Sequence, residues 1–258
     1  ADLDLIIVGT VTGDMVFPAT ACLVQAELGA LNAAAFDLAA GCTGFIYALT
    51  VAEKFLLASD MRHILVVGAE AVSKVLDYTD RSTCVLFGDG AGAAVLGKAD
   101  SDYGIITSYL GADGRGAKEL YMPAGGSAIP ATAESVGQRL HYLRMNGTEI
   151  FKFATKTMTT VSGRLVNQAG LTYQDIDLFI PHQANIRIIQ SAAKRMRMPM
   201  DKVFVNLDRV GNTSAGSIPV ALSEAYEQGR LHKGDLVMMV AFGTGLTYGG
   251  VILRWGRD

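Results

Sequence analysis

Positive charge and long apolar runs are both missing from the first part of this chain of 258 residues. None of the first 53 residues is a lysine or an arginine, whereas a secretory signal begins with a positively charged region, so we expect no export signal. No apolar run approaches the roughly 18 residues that span a bilayer, and we expect a cytoplasmic protein with no membrane partner. Six acids lie in the same stretch: Asp2, Asp4, Asp14, Glu27, Asp37 and Glu53.

Cysteine and net charge are also scarce. The three cysteines, an odd number, argue against a disulfide framework and for a reducing compartment. A net charge of -3 is too near neutral for a general nucleic-acid binder. No cysteine, histidine or carboxylate cluster has metal-ligand spacing, so we expect no metal site. Half of the residues are apolar, which indicates a compact globular chain of one large or two modest domains.

Short apolar runs alternate with longer helical patterns, which predicts an α/β layered architecture. The predicted strands are Leu5–Val8, Ala34–Ala39, Ile64–Gly68, Ala93–Gly97, Gly104–Leu110, Asp177–Ile180, Val203–Asn206, Leu236–Ala241 and Gly249–Leu253. The predicted helices are Pro18–Leu28, Thr43–Ser59, Thr148–Ala169, Asn185–Met196 and Ser214–Glu227.

The order of these elements repeats along the chain. The strand, helix, strand, glycine turn, helix and strand that begin at Asp4 have a counterpart that begins at Asp177. This repeat predicts two halves, 1–98 and 99–258. Only the second half has a leading segment of about 70 residues, from Gly104 to about Gln174, before its copy. We therefore expect an N-terminal segment of that size to be missing from the first half.

Cys42 is the candidate nucleophile. It lies between a predicted strand and a buried helix and is flanked by Gly41 and Gly44. The helix N-terminus should lower the pKa of the thiol and so favour the reactive thiolate. A buried structural cysteine is the alternative, and Cys22 and Cys84 are predicted to be core residues of that kind.

Two further candidates come from the second copy. His182 follows an apolar strand and should reach the carboxyl edge of a sheet, where α/β proteins bind ligands, although a core histidine or a helix cap is an alternative. Asn212 occupies the position in the second copy that Cys42 occupies in the first, although asparagine at such a turn is often an N-cap. The repeat predicts that Cys42, His182 and Asn212 form one cluster drawn from both halves.

Five segments together resemble β-ketoacyl-acyl carrier protein synthase III, the initiating condensing enzyme of bacterial fatty acid synthesis. They are Asp37–Phe45, Phe87–Val95, Pro181–Arg187, Gly211–Ser217 and Ala241–Gly245. The resemblance implies a duplicated thiolase-like fold, layered α-β-α-β-α, with an incomplete first half. It also implies a homodimer that condenses a starter acyl-coenzyme A with malonyl-acyl carrier protein and uses no cofactor. An asparagine at 212, where elongating enzymes carry a second histidine, indicates the initiating type.

The resemblance assigns roles to individual residues. Cys42 would carry the acyl group, while His182 and Asn212 would bind the malonyl thioester carbonyl. Backbone N–H groups of Cys42, Gly243 and Thr244 would form the oxyanion hole. The residues implied to hold coenzyme A or phosphopantetheine are Arg81, Gly147, Thr148, Phe151 and Asn185. Those implied to dock the acidic carrier protein are Lys152, Gln183, Arg187, Lys194 and Arg195. Phe17, reaching a neighbouring subunit, and Phe242 would line the acyl pocket.

Two other functions fit some of these features. Cysteine, histidine and asparagine occur in the order found in papain-like thiol hydrolases, and Cys42 and His182 are 140 residues apart, as in that class. The local sequence around Cys42 differs from the papain signature. The chain could also be an inactive fragment that keeps the fold and the dimer surface.

Overall fold

The computed structural model describes residues 2–99 and 102–257 as alternating strands and helices. The strands are Leu5–Gly9 (β1), Ala34–Leu38 (β2), His63–Glu70 (β3), Gly90–Gly97 (β4), Gly104–Ala112 (β5), Leu120–Tyr121 (β6), Arg144–Met145 (β7), Leu178–Pro181 (β8), Leu236–Gly243 (β9) and Thr247–Arg254 (β10). The α-helices are Thr20–Glu27 (α1), Gly44–Ala58 (α2), Ala133–Gly137 (α3), Gly147–Ala169 (α4), Ile186–Met196 (α5), Leu207–Val210 (α6) and Ser217–Glu227 (α7).

Two four-stranded sheets repeat one pattern. In the first sheet the order is β2-β1-β3-β4, with β1 parallel to β2 and β3, and β4 antiparallel to β3. In the second sheet the order is β5-β10-β9-β8, with β8 parallel to β9, and β10 antiparallel to β9. The strands β1, β3 and β4 therefore correspond to β8, β9 and β10. Strand β5 pairs with β10 on its outer side, and no described strand pairs with β4 in that way.

Three apolar clusters fill the spaces between the layers. Alternate residues of a strand point to opposite faces, so Val237 and Met239 of β9 enter the central cluster while Met238 and Val240 enter an outer one. Helices α2 and α7 lie in the central cluster between the sheets, α4 and α5 cover the second sheet, and α1 covers the first. The predicted layered α-β-α-β-α architecture is confirmed.

Helix α2 is the central element. The segment Gly41–Ala58 is long and apolar enough to cross a bilayer by length and composition alone, although a few polar residues interrupt it and we expected no such segment. Here 61% of that segment is buried inside the protein, between the two sheets. Core helices of folded proteins commonly show this composition.

One predicted strand is wrong. The segment Val203–Asn206 forms a single bridge between Val203 and Phe179, and helix α6 begins one residue after Asn206. An apolar run becomes a strand only when a neighbour supplies a ladder of hydrogen bonds, and here one backbone bond, from the Phe204 N–H to the Phe179 carbonyl, is present. The short elements α3, α6, β6 and β7 were not predicted, because too few residues in each show a periodicity.

The glycine-rich segment before and within β4 joins the halves closely. A Cβ built on Gly88 would lie 2.3 Å from the Val210 carbonyl oxygen, and one built on Gly92 would lie 2.8 Å from Val220 N. Because only glycine leaves room for these contacts, Gly88 packs directly against the end of α6, two residues before Asn212, and β4 packs directly against α7. The predicted strand is therefore confirmed and begins three residues earlier, at Gly90.

Candidate active site

A cavity of about 190 Å³ lies where the two halves meet, at the carboxyl ends of β8 and β9. Cys42 and Phe87 line it from the first half, and His182 and Asn212 line it from the second. The sulfur of Cys42, the imidazole of His182 and the carboxamide of Asn212 therefore belong to residues that line one cavity, as predicted. The remaining lining residues are mostly apolar: Leu86, Leu120, Met145, Ile150, Ala184, Ile188 and Phe242 among them.

Cys42 sits in a 3-10 turn, Gly41–Thr43, that leads directly into α2. Gly41 has a φ of 52°, a left-handed conformation that glycine adopts without cost. The predicted place at the start of a buried helix is confirmed, but the predicted low pKa is wrong. Only 7% of Cys42 is exposed, and burial raises the pKa of its thiol to about 12. The resting thiol is therefore protonated, and a base must remove its proton before it can attack.

The contacts of the Cys42 sulfur come from the turn that follows Asn212. Ser214 Oγ lies 3.3 Å from Cys42 Sγ and 3.1 Å from Glu70 Oε1. Ser214 has a φ of 49°, a conformation that residues with a side chain rarely adopt. Glu70, at the end of β3, is only 6% exposed, and burial raises the pKa of its carboxyl.

His182 is delivered by the end of β8, as predicted, and is only 1% exposed. Its backbone N–H donates to the Val240 carbonyl, and its ring packs edge-on against Phe242 with centroids 5.3 Å apart. Burial lowers the pKa of the imidazole to about 3, so the ring is neutral near pH 7. Nδ1 lies 2.6 Å from Ser217 Oγ, and this bond fixes the orientation of the ring.

Asn212 is held by both halves. Its N–H donates to the Leu86 carbonyl and its own carbonyl accepts from the Gly88 N–H, so the first half fixes its backbone. Its side-chain oxygen accepts from the Ser214 N–H at 2.9 Å. With the oxygen engaged inside the protein, the carboxamide NH₂ is the group that Asn212 presents to a ligand.

Gly243, at the end of β9, touches the backbone of Cys42. A Cβ on Gly243 would lie 2.6 Å from the Cys42 nitrogen and 3.0 Å from the Cys42 Cβ. The backbone nitrogen of the next residue, Thr244, would lie 3.1 Å from a Cβ built on Gly41. The two backbone segments whose three N–H groups are predicted to form an oxyanion hole are therefore adjacent, and the hole itself stays a prediction.

Comparison with known proteins gives a consistent result. The family model for 3-oxoacyl-[acyl-carrier-protein] synthase III matches residues 36–114, and the model for its C-terminal part matches residues 166–255. The β-ketoacyl-[acyl-carrier-protein] synthase III of Syntrophomonas wolfei is 66% identical over 257 residues, which cover 100% of this chain and 77% of that protein. The chain belongs to the β-ketoacyl-acyl carrier protein synthase III family.

Solved structures of synthase III support the same assignment. The enzyme from Thermus thermophilus is 49% identical, with a TM-score of 0.91, over 100% of this chain and 78% of the other. The enzyme from Pseudomonas aeruginosa is 39% identical, also with a TM-score of 0.91, over 99% and 77%. These shares do not say where the uncovered residues lie, so they do not support the predicted absence of about 70 N-terminal residues. Family membership decides against the thiol hydrolase.

Four further residues that the synthase III resemblance implies line the cavity: Gly147, Phe151, Asn185 and Phe242. Asn185 is also the N-cap of α5, because its side-chain oxygen accepts from the Arg187 N–H. Arg81 and Thr148 are exposed and do not line the cavity, although each is next in the chain to a lining residue, Ser82 and Gly147.

The residues expected to meet the carrier protein divide into two groups. Those exposed on α4 and α5 are Lys152, Arg187, Lys194 and Arg195. Gln183 is wrong as a docking residue, because it is fully buried and its side chain bonds the carbonyls of Pro181 and Phe204 and the Asn206 N–H. The prediction that Cys22 and Cys84 are core residues is also wrong, since Cys22 is exposed and Cys84 is only partly buried.

Three polar residues of the site were not predicted: Glu70, Ser214 and Ser217. Ser214 and Ser217 lie within the segment Gly211–Ser217, but their partners Cys42, Glu70 and His182 are far away in the chain. Only the fold shows these contacts. Glu70 had a clear signal in the sequence. It falls in the same alternating phase as Ile64 and Val66 of β3, the buried phase, where a carboxylate is unusual.

Proposed function

We propose that this chain condenses a starter acyl-coenzyme A with malonyl-acyl carrier protein. The products are 3-ketoacyl-acyl carrier protein, coenzyme A and carbon dioxide, and the reaction initiates fatty acid synthesis. The observation that carries the proposal is the shared cavity of Cys42, His182 and Asn212 in a member of the synthase III family. The mostly apolar wall of that cavity suits an acyl chain and a pantetheine arm, beside Gly147 and Phe151.

In the first half-reaction, Cys42 accepts the acyl group from coenzyme A. The sulfur attacks the thioester carbonyl, and the carbonyl oxygen gains negative charge. Backbone N–H groups of Cys42 and of the adjacent Gly243 and Thr244 would stabilise that oxygen. Coenzyme A leaves as the bond from the carbonyl carbon to its sulfur breaks, and the acyl group stays on Cys42 as a thioester until the carbanion from the second substrate attacks its carbonyl and releases Cys42.

In the second half-reaction, His182 and Asn212 stabilise the carbanion that forms when malonyl thioester loses carbon dioxide. Its charge is shared with the thioester oxygen, so two neutral N–H donors aimed at this oxygen lower the barrier. The buried imidazole is neutral, as this role requires. Ser217 Oγ accepts the Gln183 N–H at 3.4 Å, and donation of its own proton to His182 Nδ1 would keep a proton on Nε2.

The carrier protein would approach across α4 and α5. Arg187, Lys194 and Arg195 are exposed there and would meet the acidic carrier protein, while the charge of Lys152 is partly compensated by Glu149 at 2.7 Å.

A homodimer is part of the same proposal. The loop that precedes α1 exposes four large apolar side chains, of which Phe17 is 81% exposed. Several exposed apolar side chains in one loop are typical of a protein interface, and Phe17 would reach the acyl pocket of the second subunit. The substrates and the three free cysteines fit a reducing cytoplasmic setting.

The test separates the two half-reactions. Cys42→Ser should abolish transfer of label from acetyl-coenzyme A to the protein. His182→Ala and Asn212→Ala should still be acylated but should release carbon dioxide from malonyl-acyl carrier protein on the order of 10² to 10³ times more slowly, because each loses one donor. His232→Ala, which removes an exposed histidine, is the matched control and should behave as the unmodified protein.

Two results would contradict the proposal. Equal loss of both half-reactions in His182→Ala and Asn212→Ala would refute the division of roles. A folded, unmodified chain that takes no label would support an inactive fragment.

A further inference from the structure

Glu70 is a buried carboxylate that the condensation chemistry described above does not use. Its hydrogen bonds come from neutral donors: the hydroxyls of Thr10, Thr12 and Ser214 and the backbone N–H of Val11. Burial of an ionisable group without a cation costs free energy, and such groups are kept mainly where they have a function.

The hydroxyl of Ser214 connects Glu70 to the nucleophile. Ser214 Oγ carries one proton but lies within hydrogen-bond distance of both Glu70 Oε1 and Cys42 Sγ. A carboxylate is a much stronger acceptor than a sulfur, so the hydroxyl donates to Glu70. The thiol S–H is then left to donate to Ser214 Oγ. The three groups form a continuous chain of donors and acceptors from the sulfur to the carboxylate.

We propose that Ser214 and Glu70 form a proton relay that takes the thiol proton of Cys42 during transfer of the acyl group from coenzyme A. This inference rests on the function proposed above. Ser214 contacts the reacting sulfur, and Glu70 acts only through Ser214, as a positioning residue.

Protons and bonds are conserved over the acylation half-reaction. The Cys42 S–H proton passes to Ser214 Oγ as the Ser214 O–H proton passes to Glu70 Oε1. The sulfur lone pair forms a bond to the thioester carbon, and the bond from that carbon to the coenzyme A sulfur breaks. The departing thiolate takes a proton back from Glu70 through the same hydroxyl, so that Glu70 is again ionised and coenzyme A leaves as a thiol.

His182 is a weaker candidate for this base. The pKa of its imidazole is lowered to about 3, whereas the pKa of the Glu70 carboxyl is raised above its ordinary value of 4.5, so Glu70 holds a proton more firmly. His182 Nδ1 is bonded to Ser217, and within residues 2–99 and 102–257 no hydrogen bond joins His182 to the Cys42 sulfur.

A purely structural role for Glu70 is the alternative. Thr10, Val11 and Thr12 begin the loop that carries Phe17, and their bonds to Glu70 anchor it. Thr12→Val is the matched control, because it removes both anchoring bonds of the Thr12 hydroxyl, to Glu70 and from the Ala71 N–H, and leaves the Ser214 contact in place.

The experiment measures single-turnover acylation of Cys42 by labelled acetyl-coenzyme A in the full chain. Glu70→Gln keeps an acceptor oxygen but cannot take the proton, and it should slow acylation by about 10²- to 10⁴-fold, the usual range for a general base. Ser214→Ala should slow it by a similar factor. Thr12→Val should stay close to the unmodified rate. Enzyme that has first been acylated to completion should release carbon dioxide from malonyl-acyl carrier protein at an unchanged rate in Glu70→Gln.

A pH profile adds a readout that a structural role would not change. The acylation rate of the unmodified chain should fall as pH falls through the raised pKa of Glu70, and Glu70→Gln should lack this limb. The thiol of Cys42 faces Glu70 across Ser214. The charged groups on the segments that flank Glu70 are Asp14, Asp89 and Lys74. These groups are present in both the unmodified chain and Glu70→Gln, so the difference between the two pH profiles comes from the titration of Glu70.

Three results would overturn the relay. They are acylation by Glu70→Gln at or above the unmodified rate, an equal loss in Thr12→Val, and an equal loss of decarboxylation in Glu70→Gln. The static charge of Glu70 raises the pKa of Cys42, so electrostatics without a relay predicts faster acylation in Glu70→Gln. Failure of the unmodified chain to label Cys42 would instead refute the proposed function itself.

Discussion

Replacing Gly243 by alanine should displace the Cys42 nucleophile without changing any reactive group of the site. The new Cβ would lie 2.6 Å from the backbone nitrogen of Cys42, whereas ordinary contact begins at 3.4 Å, so the two segments must separate by about 0.8 Å. Neither can yield easily. Gly243 is paired with Thr247 in the β9–β10 ladder, and Cys42 leads into the buried helix α2. The φ of Gly243 is -169°, extended backbone that alanine also adopts, so the effect comes from space alone.

The expected magnitude follows from those contacts. Overpacking of this kind lowers the free energy of unfolding by about 1 to 3 kcal/mol. Misplacing a reacting group by about 1 Å slows its reaction on the order of 10²-fold. Gly243→Ala should therefore acylate Cys42 about 100 times more slowly in a single turnover and should unfold at lower urea concentration. Gly137→Ala is the control, because a Cβ there meets nothing within 4 Å. Acylation of Gly243→Ala within about threefold of the control would refute the close and rigid contact between β9 and Cys42.

Two further predictions concern His182. Its pKa is about 3 in the folded protein and 6.5 when unperturbed, so below pH 6.5 the unfolded chain binds a proton that the folded one does not. Between pH 6.5 and about 3, the unfolding free energy should therefore fall by about 1.4 kcal/mol per pH unit from this residue alone. Urea titrations at pH 7 and 5.5 should show this loss in the unmodified chain and not in His182→Gln, and an equal loss in both would contradict it. Ser217→Ala should slow carbon dioxide release by about 10- to 100-fold and spare acylation, because a buried Nδ1 loses its partner at a cost of about 1 to 3 kcal/mol. Equal loss of acylation would show that Ser217 supports the whole turn instead.

Local patterns in the sequence were sufficient for most of the architecture. Short continuous apolar runs predict strands that are covered on both faces, and nine such segments were predicted, of which Val203–Asn206 alone did not form a strand. That exception is instructive, because its composition suits a strand and only the neighbouring backbone decides how many ladder bonds it receives. The internal repeat also predicted that Cys42, His182 and Asn212 would meet, since equivalent loops of duplicated units face each other.

The protonation states of the site, in contrast, depend on segments that are far apart in the chain. The helix N-terminus next to Cys42 suggested a low pKa, but burial beneath the second half and the nearby Glu70 raise it. The synthase III resemblance implied that Gln183 contacts the carrier protein, yet its buried side chain bonds the carbonyl groups of Pro181 and Phe204.

The sequence by itself therefore determined which residue types are present, the alternation that builds two similar sheets, and the positions of the three reactive groups within the repeat. Tertiary structure alone decided how much water reaches those groups and which hydroxyl or carboxylate faces them. The physical reason is that backbone periodicity is set by neighbours along the chain, whereas desolvation and hydrogen bonding between side chains depend on every element that packs around a site.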